Sequence, residues 1–305
     1  MVRRLIAASA LVAALVPFVF GAGATAAPRG TTPPKLFPVT VVGDNGKVTI
    51  RRRPVRIVSL SPTATEGLFA VGAGRQVVAV DDQSSYPRRA PRTTLSGFQP
   101  NAEAIARFRP DLVIVAYDPG IVAELRRLRI TVLHLDGAKN LSEAYRQLRV
   151  LGLATGHRVQ AARAVASMKR RIDGAVKSVR SVTATRRMSV YHELTPDHYS
   201  ANSTTFIGQL YRMLGLRNIA DAASDANGGY PKLSAEYVIA ANPSVIVLAD
   251  TKCCAQSFGT VAARPGWSGI AAVRNRRVVA IDDDVASRWG PRIAGLVRAV
   301  AAARR

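Results

Sequence analysis

The run His157-Arg158-Val159-Gln160-Ala161-Ala162-Arg163-Ala164-Val165-Ala166-Ser167-Met168-Lys169-Arg170-Arg171-Ile172-Asp173-Gly174-Ala175-Val176-Lys177-Ser178-Val179-Arg180-Ser181-Val182 sets Val165, Met168, Ile172, Val176 and Val179 three or four positions apart. That spacing is one apolar stripe of an α-helix, with Lys169, Arg170, Arg171, Lys177 and Arg180 interleaved on its other faces. A helix over 157–182 would be about 39 Å long, enough to join two domains. Whether it does depends on what stands on either side of it.

Upstream, short β-rich runs at 56–60, 76–80, 112–116 and 130–135 alternate with helical stretches at 63–71, 101–108 and 119–128. From Leu141 the pattern turns helical, with a break expected between Gly152 and Gly156. Downstream the alternation restarts: strands at 188–193, 245–249 and 277–281, helices at 204–214 and 235–241, and a last helix from about Pro291. Continuous apolar strands separated by helices indicate parallel sheets covered on both faces. The expected fold is therefore α/β: an N-terminal lobe over 55–156 and a C-terminal lobe over 183–305, joined by the single long helix at 157–182. Two such lobes leave a cleft between their strand ends, where ligands bind in folds of this kind.

The beginning of the chain reads as a targeting segment. Met1-Val2-Arg3-Arg4 is a basic start, residues 5–20 are an apolar run broken only by Ser9 and Pro17, and Ala24-Thr25-Ala26 is a small-x-small cleavage pattern. A secretory signal peptide over 1–26 is expected, with an uncleaved anchor as the alternative; no cysteine follows the apolar run, so a lipid anchor there is excluded. The mature chain is expected in a secreted, periplasmic or cell-surface space. Residues 27–54 are expected to be a linker and a β-hairpin, whose turn Asp44-Asn45-Gly46 suits positive φ.

The 305 residues carry 43 Lys and Arg against 20 Asp and Glu, a formal charge of +23. The basic residues come in small scattered groups instead of one stripe, which argues for a solvated surface and against nucleic acid as a partner. An anionic membrane surface or an anionic ligand remains in reach of such a charge.

Catalytic motifs are missing. Gly72-Ala73-Gly74 precedes a strand where a dinucleotide fingerprint would follow one, so it reads as a helix C-terminal turn. No Walker loop and no G-x-S-x-G occurs. In His192-Glu193-Leu194-Thr195-Pro196-Asp197-His198 the second histidine stands six positions on, with Pro196 between, so a zincin pair is not formed and His192 reads as a strand-end residue. Asp282-Asp283-Asp284 reads as a solvated turn. No enzyme activity, metal centre or resident cofactor is expected. Cys253-Cys254, the only cysteines, either pair as a vicinal disulfide in a cleft-facing loop, remain thiols, pair with another molecule or ligate a metal chelate directly.

Several segments together resemble one family. Arg56-Ile57-Val58-Ser59-Leu60-Ser61-Pro62-Thr63-Ala64-Thr65-Glu66 followed by Pro110-Asp111-Leu112-Val113-Ile114 is similar to the first lobe of the periplasmic substrate-binding proteins for cobalamin and ferric siderophores. Phe206-Ile207-Gly208, Leu214-Gly215-Leu216-Arg217-Asn218-Ile219-Ala220, Tyr230-Pro231-Lys232-Leu233-Ser234-Ala235-Glu236, Ala263-Arg264-Pro265-Gly266-Trp267 and Arg288-Trp289-Gly290-Pro291-Arg292 resemble its second lobe. The resemblance covers about residues 38–303. It implies a monomeric extracytoplasmic receptor that binds a metal chelate, a ferric siderophore or a corrinoid, and delivers it to an ABC permease dimer with its ATPase. A haem or metal-ion receptor and a secreted α/β enzyme are the alternatives.

The resemblance also implies one glutamate on each lobe for docking to permease arginines, mapping onto Glu66 and Glu236. Residue chemistry offers capping instead: Glu66 as the third residue of a helix capped by Thr63, and Glu236 beside the candidate cap Ser234. For the ligand, the expected cleft residues are Tyr86, Phe98, Tyr117, Tyr199, Tyr230, Arg288 and Trp289. Aromatic faces suit a flat chelate and an arginine suits its anionic groups.

Overall fold

A computed structural model describes residues 36–180, 188–223 and 227–304, within one compact unit Leu36–Arg305. The signal peptide, most of the linker and the last two residues expected in the long helix lie outside the described residues.

The chain enters through an antiparallel hairpin, β1 (Val39–Gly43) and β2 (Gly46–Ile50), in register Gly43 to Gly46 around Asp44-Asn45, with Gly46 at φ 89°. The hairpin tip is tied to the first lobe: Asp44 N–H donates to the His134 carbonyl and Asn45 Nδ2 to that of Val132. Four parallel strands then build the first sheet: β3 (Ile57–Leu60), β4 (Val77–Val80), β5 (Leu112–Val115) and β6 (Val132–His134), in order β4-β3-β5-β6. Its central strands Ile-Val-Ser-Leu and Leu-Val-Ile-Val are buried at every position, as a sheet covered on both faces requires. The covering helices are α1 (Pro62–Ala70), α2 (Ala102–Ala106), α3 (Ile121–Arg127) and α4 (Leu141–Thr155). Side-chain oxygens of Ser61, Asn101 and Asn140 cap the starts of α1, α2 and α4. The Gly72-Ala73-Gly74 turn closes α1: Gly72 takes φ 90° and Ala73 N–H returns to the Leu68 carbonyl.

Gly156, at φ 78°, stops α4, and α5 (Arg158–Arg180) starts two residues later. Val165, Met168, Ile172, Val176 and Val179 are all buried, packing α5 on α4 of the first lobe and on the last helix of the second. One apolar cluster runs through all three. The second sheet repeats the first: β7 (Ser189–Glu193), β8 (Arg217–Asn218), β9 (Val245–Leu248) and β10 (Val278–Ala280), all parallel, in order β8-β7-β9-β10. In both lobes the first strand thus lies between the second and the third, with the fourth outside.

The second lobe's helices are α6 (Phe206–Met213), α7 (Ala235–Ala241), α8 (Thr251–Cys254), α9 (Phe258–Ala262), α10 (Ala271–Arg274), α11 (Asp283–Ser287) and α12 (Ile293–Ala303). Four of these, α8 to α11, were not expected, and neither was the two-residue β8. Asp282-Asp283-Asp284 is likewise no solvated turn. Asp282 caps α11, Asp283 accepts from Lys252 N–H and Cys253 N–H, and Asp284 pairs with Lys252 and Arg288. No described helix is long and apolar enough to cross a membrane.

Candidate functional site

In a parallel sheet every strand-to-helix loop leaves from the same edge. The two lobes turn these edges toward each other. Gln209 Nε2 of α6 donates to the Lys139 carbonyl in the β6–α4 loop (2.8 Å), Ser85 Oγ of the β4–α2 loop donates to Asp284 (3.0 Å), and Trp289 Nε1, after β10, donates to Gln147 of α4 (2.8 Å).

All five tyrosine and phenylalanine candidates sit on these loops. Tyr86 and Phe98 follow β4, Tyr117 follows β5, Tyr199 follows β7 and Tyr230 follows β8, so Tyr230 occupies the second lobe's counterpart of the Tyr86–Phe98 loop. Phe98 is 71% exposed, Tyr117 53%, Tyr86 44% and Tyr230 40%, and among the described residues no other aromatic side chain is that open. Tyr199 is partly buried beneath the Lys232 ammonium, 5.4 Å from its ring.

Arg288 and Trp289, together with Tyr86, are engaged by the other lobe. Arg288 Nη1 donates to Glu66 (3.2 Å), and its Nη2 to the Gln83 carbonyl (3.0 Å) and to Asp284 (2.6 Å). Trp289 packs against the first lobe's core, lining a narrow cavity with Ser61, Thr63, Gln147 and Leu148. Tyr86 stacks under the Arg292 guanidinium, 4.1 Å from its ring centre, at the lobe junction. The mapping of Glu66 is corrected by the same contacts. Its side chain is buried and held by Arg288 and Arg292, both from the other lobe, so it presents no carboxylate to a partner. Nor is it the third residue of α1: Ser61 is the cap and Pro62 the first residue, which puts Glu66 at the fifth.

Glu236 behaves differently. It is exposed at the second position of α7, after the cap Ser234, and its carboxyl is held below the usual range by backbone N–H and then by the Ser234 side chain. The matching helix of the first lobe is α2, since each precedes the third strand of its sheet. There Glu103 is exposed at the second position after the cap Asn101. The repeat Asn101-x-Glu103 and Ser234-x-Glu236, each followed within ten residues by a buried third strand, was the sequence signal that would have found it.

Beneath the second lobe's loops lies a buried polar cluster that sequence reading missed. Glu193 ends β7, and Arg264 grips it with both nitrogens (2.6 and 2.7 Å) while stacking on Trp267. Tyr191 donates to the same carboxylate (3.1 Å) and His198 lies 3.8 Å from it. Asp250, after β9, is fully buried, and neither of its carboxylate oxygens meets a donor. Burial first, then the neighbouring Glu193, push its carboxyl up to about 7. Cys253 and Cys254 are joined sulfur to sulfur in the adjoining one-turn helix α8, not in a loop, with Cys253 exposed. His192 is buried against the Tyr211 hydroxyl, and burial lowers it to about 3. Among the described residues no group of three or more His, Cys, Asp or Glu side chains could hold a metal ion.

The electrostatics of the second lobe's strand-to-helix loops and their flanking α8 and α11 are unusual for a chain of charge +23. Every Lys and Arg described there is already paired with a carboxylate: Lys232 with Asp197, Lys252 with Asp284, Arg288 with Asp284 and Glu66, and Arg292 with Glu66. That wall offers aromatic faces and polar groups, but no free cation.

Comparison with known proteins agrees with this architecture. The periplasmic binding protein family matches residues 57–285. An uncharacterized ABC transporter substrate-binding lipoprotein of Bacillus subtilis is 31% identical over 268 residues, 85% of this chain and 83% of that protein. A cobalamin-binding protein of Halobacterium salinarum is 30% identical over 266 residues, 84% of this chain and 71% of that protein. Among solved structures, a periplasmic heme-binding protein of Roseiflexus superposes with a TM-score of 0.70 at 27% identity, over 82% of this chain and 97% of that one. With two parallel-sheet lobes on one connecting helix and a loop-lined junction between them, the chain belongs to the periplasmic binding protein family, and by that membership is a binding protein, not an enzyme.

Proposed function

We propose that this protein is the extracytoplasmic, monomeric receptor of an ABC importer, and that its ligand is a large, flat, largely uncharged metal chelate of the corrinoid class. The observation that carries the ligand class is the self-neutralised second-lobe wall. An anionic catecholate, or a porphyrin with two carboxylates, is best held by free guanidinium or ammonium groups. Here Lys232, Lys252, Arg288 and Arg292 are all spent on the protein's own carboxylates, while Phe98, Tyr117 and Tyr230 leave aromatic faces open on the facing loops. The cobalamin-binding name of the Halobacterium relative supports the same choice. The Ala24-Thr25-Ala26 pattern after the apolar run supports export by a cleaved signal peptide. No resident cofactor is invoked; the metal arrives with the ligand.

Titration calorimetry of the purified chain with cyanocobalamin, haem and a ferric hydroxamate tests the ligand class. Cyanocobalamin should bind one to one at micromolar concentration or below, and the other two at least about tenfold more weakly. Tighter binding of haem or the hydroxamate would replace the corrinoid reading with theirs.

For delivery, Glu103 and Glu236 are the docking pair. They are exposed, on opposite lobes and at equivalent helix positions, where two carboxylates can meet two arginine sites of a permease dimer and fix orientation. Replacing both by alanine should abolish uptake in cells that carry the cognate permease and leave cobalamin affinity unchanged. Uptake at the normal rate by the double variant would remove them from docking.

A further inference from the structure

Against the neutralised wall of the second lobe stands a contrasting place at the side of the lobe junction. Two adjoining cavities, of about 240 and about 530 Å³, share Phe69 and Arg89 in their walls. Together they are lined by four arginines, Arg75 before β4, Arg89 in the β4–α2 loop, Arg171 on α5 and Arg292 before α12, with Glu66 the only acid. Glu66 is consumed by Arg292 and Arg288. Arg75, Arg89 and Arg171 are exposed and form no ion pair with any described carboxylate.

Two of these guanidiniums are oriented by stacking. Arg89 lies over Phe69 at 5.3 Å and Arg292 over Tyr86 at 4.1 Å. Stacking occupies the face of the Arg89 guanidinium and leaves its N–H edge for a planar or tetrahedral oxyanion, whereas the edge of Arg292 is taken by Glu66. Arg75 and Arg89 border one cavity and Arg89 and Arg171 the adjoining one, and unpaired cations so placed repel each other unless an anion of more than one charge enters. A phosphate-class dianion meets that demand and can take several N–H donors at once, whereas a single carboxylate leaves most of the charge uncompensated.

We propose that this recess is an oxyanion site for a phosphate-bearing ligand, separate from the chelate cleft. Arg75 and Arg89 belong to the first lobe and Arg171 to the connecting helix, so an occupant ties those two together beside the Glu66–Arg292 contact with the second lobe. A free phosphate compound and the headgroup of an anionic lipid share this chemistry.

Two measurements on the full mature chain distinguish the sources: calorimetric titration with pyrophosphate, and co-sedimentation with phosphatidylglycerol or phosphatidylcholine vesicles. Saturable pyrophosphate binding with no preference for phosphatidylglycerol assigns the site to a free oxyanion. Binding to phosphatidylglycerol that pyrophosphate displaces assigns it to a headgroup. In either case Arg75→Ser, Arg89→Ser and Arg171→Ser combined should weaken binding by about tenfold or more. An equal loss of charge at the exposed Arg107, Arg127 and Arg149 should weaken it far less, and cobalamin affinity should be the same in both variants. Arg89→Lys, which keeps the charge but not the fork, should fall between. Failure of the parent chain to bind either probe saturably, or equal weakening by the two triple variants, would overturn the proposal, because only bulk charge would then be at work.

Discussion

Asp250 concentrates the tension of the second lobe in one carboxyl. An unperturbed aspartic acid ionises near 3.8, whereas here burial and then Glu193 raise the group to about 7. The folded state therefore keeps a proton that the unfolded chain releases between about pH 4 and pH 7. The stability this group contributes is full below pH 4 and is lost as pH rises through 7. Asp250→Asn removes the titration, so thermal unfolding at pH 5 and pH 8 should show the variant gaining on the parent at the higher pH. An offset that is the same at both values would mean that Asp250 is ionised throughout. Gly208 presents the opposite case, a residue fixed by space. A Cβ there would stand 2.0 Å from the Asn202 carbonyl oxygen, so Gly208→Ala should cost about 2 kcal/mol or more in denaturant unfolding. At this scale the sequence was a partial guide to the site. It placed the aromatics on strand-to-helix loops, where the structure has them, because strand ends can be read from the alternation of β-rich and helical runs. It could not show that Arg288, Trp289 and Glu66 engage the opposite lobe, since partners 222 positions apart in sequence, as Glu66 and Arg288 are, leave no local pattern.

Among the elements, the long helix and the central strands were legible for the same reason: burial imposes a period. α5 shows its stripe because it packs on both lobes, and the strands Ile57–Leu60, Leu112–Val115 and Val245–Leu248 read as continuous apolar runs because both their faces are covered. β8 pairs through only two residues, and α8 to α11 each have four or five, too few for any period to emerge. Their signals are caps instead. Ser257 and Thr260 form a reciprocal capping box at the start of α9, and Asp282 caps α11, but runs of Ser, Thr and Asp read equally well as turns. The stripe of α5 also carries energy. Met168 is 2% exposed in the cluster that joins the lobes, so Met168→Ala should lower stability by about 2–5 kcal/mol in denaturant unfolding. A loss below about 1 kcal/mol would mean that α5 tethers the lobes without sharing their core.

As a whole, the molecule uses its charge in two ways, and salt separates them. Exposed arginines such as Arg75, Arg89 and Arg171 act through solvent and are screened over about 8 Å at physiological ionic strength. The contacts that join the lobes are buried or half-buried: Glu66 is 3% exposed between Arg288 and Arg292, and the half-buried Asp284 bonds both Arg288 and Ser85 of the first lobe. Removing Glu66 strands the Arg292 guanidinium and leaves Arg288 with Asp284 and the Gln83 carbonyl, and breaking a buried pair from one side typically costs about 3–5 kcal/mol. The lobes have a cheaper escape than unfolding, which is to part and let water reach Arg288 and Arg292. Glu66→Ala should therefore lower the melting temperature and also raise the radius of gyration measured by small-angle X-ray scattering, while the parent keeps one radius from low to high salt. A variant that melts earlier with an unchanged scattering profile would place the role of Glu66 in the folding of the first lobe and leave lobe closure to α5 and Trp289.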